Sequence, residues 1–369
     1  MKAFFILDTL ANAGTEKSYL QLLPQFSEDL EVFVVYFYAD HSLLSDFQNK
    51  GIKTCYLGIN GKYGFYHGTK RLVKLIKEEK PDVLVSSLMR SNLISRMAAF
   101  ISGVPLIGTL VNDSYNPIRL KEFKGTGYWK FKFFWLLDKW TSSIPKYWIA
   151  NAKCLITSHS KSLGIDSAKA DVVYRGRKLT EKKYNCYQTI HHFVGCGRLI
   201  SRKGWTELLD AFHLVLQKNA NCTLTIFGEG PLRSSLEEKI TKLGLADKVF
   251  LPGNVAEVQE KLFDYDCFVF PSWYEGFSGA LLEAMMVGIP IIASDIPMNL
   301  EAITPDKNAL TFPVKDAEML AKQMTYAINN PQKMAEMGQN AREEAIERFD
   351  IEKIAKAYER VLRRVLNLT

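Results

Sequence analysis

The chain of 369 residues predicts an α/β protein built from two doubly wound parallel sheets, each covered by helices on both faces. Three observations predict it. Strand-like apolar runs alternate with helix-like segments in two successive series, one ending near residue 176 and one starting near residue 191. A polar stretch without periodicity, 178–189, lies between them and reads as a linker. In the second series, residues 267–290 join a buried strand, a glycine loop and a helix, the arrangement such sheets use at their carboxyl ends to bind ligands. A hydrophobic content of 47% with 24% charged residues describes a folded chain, and its length suffices for two cores.

The first series opens with a strand over 2–7. Only five apolar residues precede Asp8, so this start reads as a first strand and not a signal peptide. A loop ending in Gly14 feeds a helix over 15–23, with Leu20 and Leu23 on one face. Strands follow over 32–37, 52–57, 82–86, 105–111 and 147–151, separated by helices over 43–50, 69–80 and 92–101, and 171–176 is the last extended segment. Residues 115–148 break the pattern with eleven aromatic side chains and seven Lys or Arg against two acids. A helix mixing Trp, Phe and Lys in this way suits the headgroup layer of an anionic membrane, or else a buried surface with snorkelling lysines.

The second series places strands over 192–197, 222–227, 248–251, 267–270, 291–294 and 309–312. Its helices are expected over 205–217, 232–243, 255–265, 280–287, 317–329 and 333–348, with a final one over 351–368. The helix over 280–287 is bounded by Gly288 as its C′ residue and by Pro290. Its N-terminus, after the small loop Glu275-Gly-Phe-Ser-Gly279, offers free N–H groups and the positive end of a helix dipole, which suit a phosphate. Two carboxylates, Glu275 and Glu283, bracket that turn. They repel phosphate and accept hydrogen bonds from hydroxyls, so a ligand carrying both a diphosphate and hydroxyls fits. Earlier, Arg198 and Lys203 supply a planar fork and a point charge for phosphate oxygens in a loop that closes at Gly204.

Gly197-Arg198-Leu-Ile-Ser-Arg-Lys203-Gly204, Phe227-Gly-Glu-Gly-Pro-Leu232 and Glu275-Gly-Phe-x4-Leu-Glu283-Ala, in this order and spacing, resemble the glycosyltransferase family 4 (glycosyl transferases group 1). The likeness is close in the C-terminal half and loose in the N-terminal half. It implies the GT-B fold, two Rossmann-like domains facing across a cleft: an acceptor-side domain over 1–176, a linker over 177–190, a nucleotide-sugar domain over 191–348, and a last segment over 349–369 returning to the first domain. It also implies retaining transfer of a sugar from a nucleotide diphosphate, UDP favoured, with no bound metal or cofactor.

By that resemblance Arg198 and Lys203 hold the diphosphate and neutralise the leaving group, Glu275 grips sugar hydroxyls, and Glu283 the ribose. Gly276, Phe277, Ser278, Gly279 and Ala280 border the phosphates, Gly228 and Leu251 the base, and Gly14 approaches from the other domain. Two departures stand out. Ala13-Gly14 replaces a family Gly-Gly, and Asn112-Asp113 replaces a His-Asp, so Asn112 is left to hydrogen-bond a sugar without acting as a base.

The expected acceptor is a saccharide or lipid-linked saccharide of surface polysaccharide or glycoconjugate synthesis, with the 115–148 segment touching the cytosolic face of the inner membrane. Alternatives are a nucleotide-sugar epimerase of the same architecture and a non-catalytic basic membrane-surface binder. The six histidines and six cysteines show no metal-ligand spacing, and the thiols suit a reducing, cytoplasmic compartment. A net charge of +7 without basic residues gathered along one helix gives no nucleic-acid motif. No apolar window is long enough to span a bilayer.

Overall fold

The computed structural model describes residues 1–369 apart from Asn60, Lys62, Tyr63, Glu122, Lys183, 185–188 and Thr369. The chain forms two compact units, Met1–Gly176 with Ile351–Thr369, and Arg177–Asp350.

In the first unit, β1 (Lys2–Leu7), α1 (Gly14–Leu22), β2 (Glu31–Tyr36), α2 (Leu44–Asn49) and β3 (Lys53–Tyr56) come first. There follow α3 (Phe65–Glu79), β4 (Val83–Ser86), α4 (Met89–Ser102), β5 (Leu106–Leu110), α5 (Pro117–Leu120), α6 (Thr126–Thr141), β6 (Tyr147–Ala150), α7 (Lys153–Leu163) and β7 (Ala170–Val172). These strands make a seven-stranded parallel sheet in the order β3-β2-β1-β4-β5-β6-β7. Strand alternation divides its core in two. Ala3, Phe5 and Leu7 of β1 face one cluster and Phe4 and Ile6 face another.

The second unit comprises β8 (His192–Cys196), α8 (Trp205–Leu216), β9 (Thr223–Phe227), α9 (Arg233–Lys242), β10 (Val249–Gly253), α10 (Val258–Lys261) and β11 (Cys267–Phe270). It continues through α11 (Gly279–Val287), β12 (Ile291–Ser294), α12 (Pro297–Leu300), β13 (Leu310–Phe312), α13 (Ala317–Asn329) and α14 (Pro331–Phe349). Its six parallel strands run β10-β9-β8-β11-β12-β13. The chain ends in α15 (Ile351–Val365), which belongs to the first unit. Ile354, Tyr358, Val361, Leu362 and Val365 of α15 join the same cluster as Phe5 and Leu7. Each such buried aliphatic side chain contributes roughly 1.5–3 kcal/mol.

The two doubly wound sheets match the predicted fold class, and several element boundaries differ from the sequence reading. The helix expected over 255–265 contracts to α10 and a 3-10 turn at Leu262–Asp264, because Glu257 adopts φ 37°, a left-handed conformation that a right-handed helix cannot contain. Helices α7 and α12 stand where the sequence reading placed no element.

Residues 177–190, expected as a linker, belong to the second unit. The Thr180 carbonyl accepts from Arg342 at 2.7 Å, and the Tyr184 hydroxyl donates to the Tyr265 carbonyl at 2.8 Å. The stretch is thus pinned to α14 and to the turn before β11. Lys183 and 185–188 of that stretch lie outside the described residues.

Candidate functional site

In a parallel sheet the crevice forms where the strand order reverses, beyond the carboxyl ends of the two strands on either side. In the second unit those strands are β8 and β11. The segment after β8 carries Arg198 and Lys203, and the segment after β11 carries Glu275. The topology therefore brings together two motifs about seventy residues apart in sequence.

The basic loop is fixed from below. Trp205 at the start of α8 is 1% exposed and donates through Nε1 to the Arg198 carbonyl at 3.0 Å. Gly204, at φ 71°, packs so closely that a Cβ there would lie 2.1 Å from the Pro271 carbonyl oxygen. Trp273 N–H donates to the Arg202 carbonyl at 2.7 Å, so the two loops are joined by backbone. Gly228, at φ 140°, abuts the Gly197 carbonyl in the same way, a Cβ there falling 2.0 Å from its oxygen. Both positions need glycine for conformation and for space.

Within this frame Lys203 Nζ lies 2.5 Å from Glu275 Oε1, with both side chains largely buried, and sits 5.0 Å from the centre of the Phe270 ring. Burial pushes the Glu275 carboxyl upward. The charges of Lys203 and Arg202, with the Lys203 hydrogen bond, outweigh that and hold it below the usual carboxylate range. Arg202 itself stacks over Tyr274, its guanidinium carbon 5.2 Å from the ring centre. Arg198 is exposed and forms no ion pair among the described residues.

Helix α11 begins beside this pair. Ser278 caps it, its hydroxyl accepting from Leu281 N–H at 3.4 Å, and the N–H groups of Gly279 and Ala280 in its first turn have no intrahelical partner. Gly276 is buried, as is Phe277, whose ring is 1% exposed and packs edge-on against Phe349 with centres 5.3 Å apart. That corrects the expectation for Phe277. Its side chain is an anchor of the loop, and only its backbone borders the turn.

Glu283, one turn further, accepts from Arg177 Nε at 2.8 Å, and Arg177 is 4% exposed. Arg177 is a residue that sequence reasoning missed, since its partner lies 106 positions away. Arg233 was missed too. It donates to the Leu251 carbonyl at 3.2 Å and pairs with Glu229 and Glu237, so that carbonyl is already occupied while Phe250 beside it is exposed.

The remaining predicted residues lie in the first unit. There the strand order reverses between β1 and β4. Gly14 opens α1 just after β1, and a Cβ on it would lie 3.7 Å from an Arg175 guanidinium nitrogen. Asn112 follows β5 and is half-buried, while Asp113 accepts from Ser158 at 2.7 Å and from Asn116 at 2.8 Å.

In the same loop region Asp8 accepts from Ser91 N–H at 2.8 Å and from Arg90 at 2.9 Å. Glu16, 3% exposed, is pushed up to about 7 by burial, assisted by the charges of Asp8 and Asp40. Among the described residues no group of three or more His, Cys, Asp or Glu side chains is placed to hold a metal ion.

The family model described as "Glycosyl transferases group 1" matches residues 159–344. The chain is 30% identical over 261 residues to the uncharacterized glycosyltransferase MJ1059 of Methanocaldococcus jannaschii, covering 65% of this chain and 62% of that protein. It is 25% identical over 308 residues to the UDP-Gal:alpha-D-GlcNAc-diphosphoundecaprenol alpha-1,3-galactosyltransferase of Escherichia coli, covering 76% and 75%. Among solved structures, Anabaena Alr3699/HepE in complex with UDP superposes with a TM-score of 0.82 at 20% identity, covering 99% of this chain and all of that one. That likeness extends the GT-B fold to both units.

Proposed function

The chain belongs to the glycosyl transferases group 1 family, and we propose that it is a retaining, metal-independent hexosyltransferase that takes its sugar from a nucleoside diphosphate, UDP by preference. The observation that carries this reading is the Lys203–Glu275 pair at the reversal point of the second sheet, flanked by an exposed Arg198 and the start of α11.

In the reaction the bond between the sugar anomeric carbon and the phosphate oxygen breaks. An acceptor hydroxyl forms a new bond to that carbon on the same face and passes its proton to the departing phosphate oxygen, and the nucleoside diphosphate leaves. Negative charge grows on the leaving phosphate. Arg198 and Lys203, with the α11 N–H groups, supply the compensation that a metal ion provides elsewhere. Glu275, held ionised by Lys203 and Arg202, is an acceptor aimed at sugar hydroxyls. Glu283, oriented by Arg177 through Oε1, is the proposed acceptor for ribose hydroxyls.

A saccharide or lipid-linked saccharide is the proposed acceptor, supported by the diphosphoundecaprenol substrate in the name of the E. coli relative. The test is a thermal-shift panel of UDP, GDP, ADP and dTDP in EDTA, on the wild type and on Arg198→Ala. A ligand at a hundred times its dissociation constant adds about 2.7 kcal/mol of stability. One nucleotide is expected to raise the melting temperature of the wild type, and that of Arg198→Ala by clearly less. No shift from any of them would point to a non-catalytic chain, and a sugar altered without transfer would point to an epimerase. Retention itself is read from the anomeric configuration of the product by NMR.

A further inference from the structure

Helix α6 carries its aromatic side chains on the outside. Turning about 100° per residue, Trp129, Phe133, Leu136 and Trp140 fall within about 60° of one another on the helix surface. They are 73%, 58%, 46% and 79% exposed. The opposite face is the anchored one, with Phe134 and Asp138 buried. Arg96 of α4 donates to the Asp138 carboxylate at 2.6 Å and to Thr141 at 2.8 Å, which ties α6 to α4 and neutralises the only acid on α6. Helix α4 adds its own exposed Met97, Phe100 and Ile101 beside that tie.

The charges around the stripe decide what covers it. Lys130 falls on one flank, Lys132 and Lys139 on the other. Lys132 lies 5.3 Å and Lys139 5.4 Å from the Trp135 ring centre, so both stems run along the aromatic surface. Protein interfaces are depleted of lysine, whereas a lysine-flanked tryptophan stripe matches the headgroup layer of an anionic bilayer. No described helix is long and apolar enough to cross a membrane, so the contact is one of seating on the surface.

We propose that the α6 face seats on an anionic lipid surface, Trp129 and Trp140 entering the headgroup layer and Lys130, Lys132 and Lys139 meeting lipid phosphates. This seating is independent of the donor chemistry.

The test is co-sedimentation of the full chain with vesicles of phosphatidylcholine alone and of phosphatidylcholine with an equal part of phosphatidylglycerol. Binding is expected only to the anionic vesicles, weakening as salt rises. Two variants separate the contributions: Trp129→Ser/Phe133→Ser/Trp140→Ser and Lys130→Glu/Lys132→Glu/Lys139→Glu. All six positions lie outside the buried core, and each triple variant is expected to lower vesicle partitioning at least about tenfold with an unchanged melting temperature. Absence of binding to anionic vesicles, or wild-type binding by either triple variant, would overturn the proposal. So would a dimer in size-exclusion chromatography that the aromatic triple variant dissolves, since a second copy would then cover the face.

Discussion

Glu16 and Glu275 are buried carboxyls beside the reversal points of two sheets of similar strand order, and they titrate in opposite directions. Burial raises both. Around Glu16 the nearby charges that act on it are those of Asp8 and Asp40, and Arg90 is engaged with Asp8. Around Glu275 they are Lys203 and Arg202. Two crevices of the same kind thus hold one carboxyl that keeps its proton up to about pH 7 and one that stays a carboxylate. A neutral carboxyl can donate a hydrogen bond and a carboxylate only accepts, so the neighbouring charges, not the fold, assign the role.

The largest expected effect tests the charged member. Glu275→Ala should lower nucleotide release in the presence of acceptor by about 10²–10³-fold while UDP still raises the melting temperature. Wild-type turnover in that variant would reduce Glu275 to a counter-ion for Lys203. The same change leaves a buried ammonium unpaired, which typically costs about 3–5 kcal/mol. Because the Glu275 carboxyl is held low, the pair's contribution is present above about pH 4.3 and lost as pH falls through the folded value. The acid limb of the stability curve should therefore be shallower in the variant.

Glu16 has the opposite sign. Between its ordinary 4.5 and about 7 the unfolded chain releases a proton that the folded chain keeps, so stability falls as pH rises. The loss amounts to about 3 kcal/mol once pH exceeds 7. Glu16→Gln should melt higher than wild type at pH 8 and alike at pH 4. Parallel melting curves across that range would mean that Glu16 ionises normally.

Smaller effects sharpen the second loop. Arg198→Ala should weaken UDP binding about 10- to 100-fold, as expected for a charge-assisted phosphate contact, with no change in the unliganded melting temperature. A loss of unliganded stability would instead make Arg198 structural. Glu283→Ala should cost about five- to tenfold in nucleotide affinity by calorimetric titration, one hydrogen bond's worth. Unchanged affinity would leave Glu283 as a partner of Arg177 alone.

Much of this was legible in the chain because the signals are local. The run 267–270, the small loop and Gly288 with Pro290 mark a strand, a turn and a helix end without reference to anything distant, and α11 begins one residue from where they place it. Lys203 and Glu275 were legible as types but not as a pair, since only the strand order makes neighbours of them.

Helix α7 was missed although Leu155, His159 and Leu163 recur at helical spacing and are its buried residues, because serines and lysines dilute the stripe. Arg177 and Arg233 carried no signal at all. Each looks like a surface cation until a glutamate or a carbonyl from another element is set against it. The pKa of Glu16 was equally unreadable, resting on burial first, then on Asp8 and on Asp40, which is 24 positions away.

The tight approach of Gly204 to Pro271 and of Gly228 to Gly197 has a consequence for anyone diversifying this enzyme. A saturation library read only through a folding reporter, with no sugar in the assay, should return glycine alone at both positions. Loop grafting between family members must then move the three loops after β8, β9 and β11 as one cassette, because none carries its own shape.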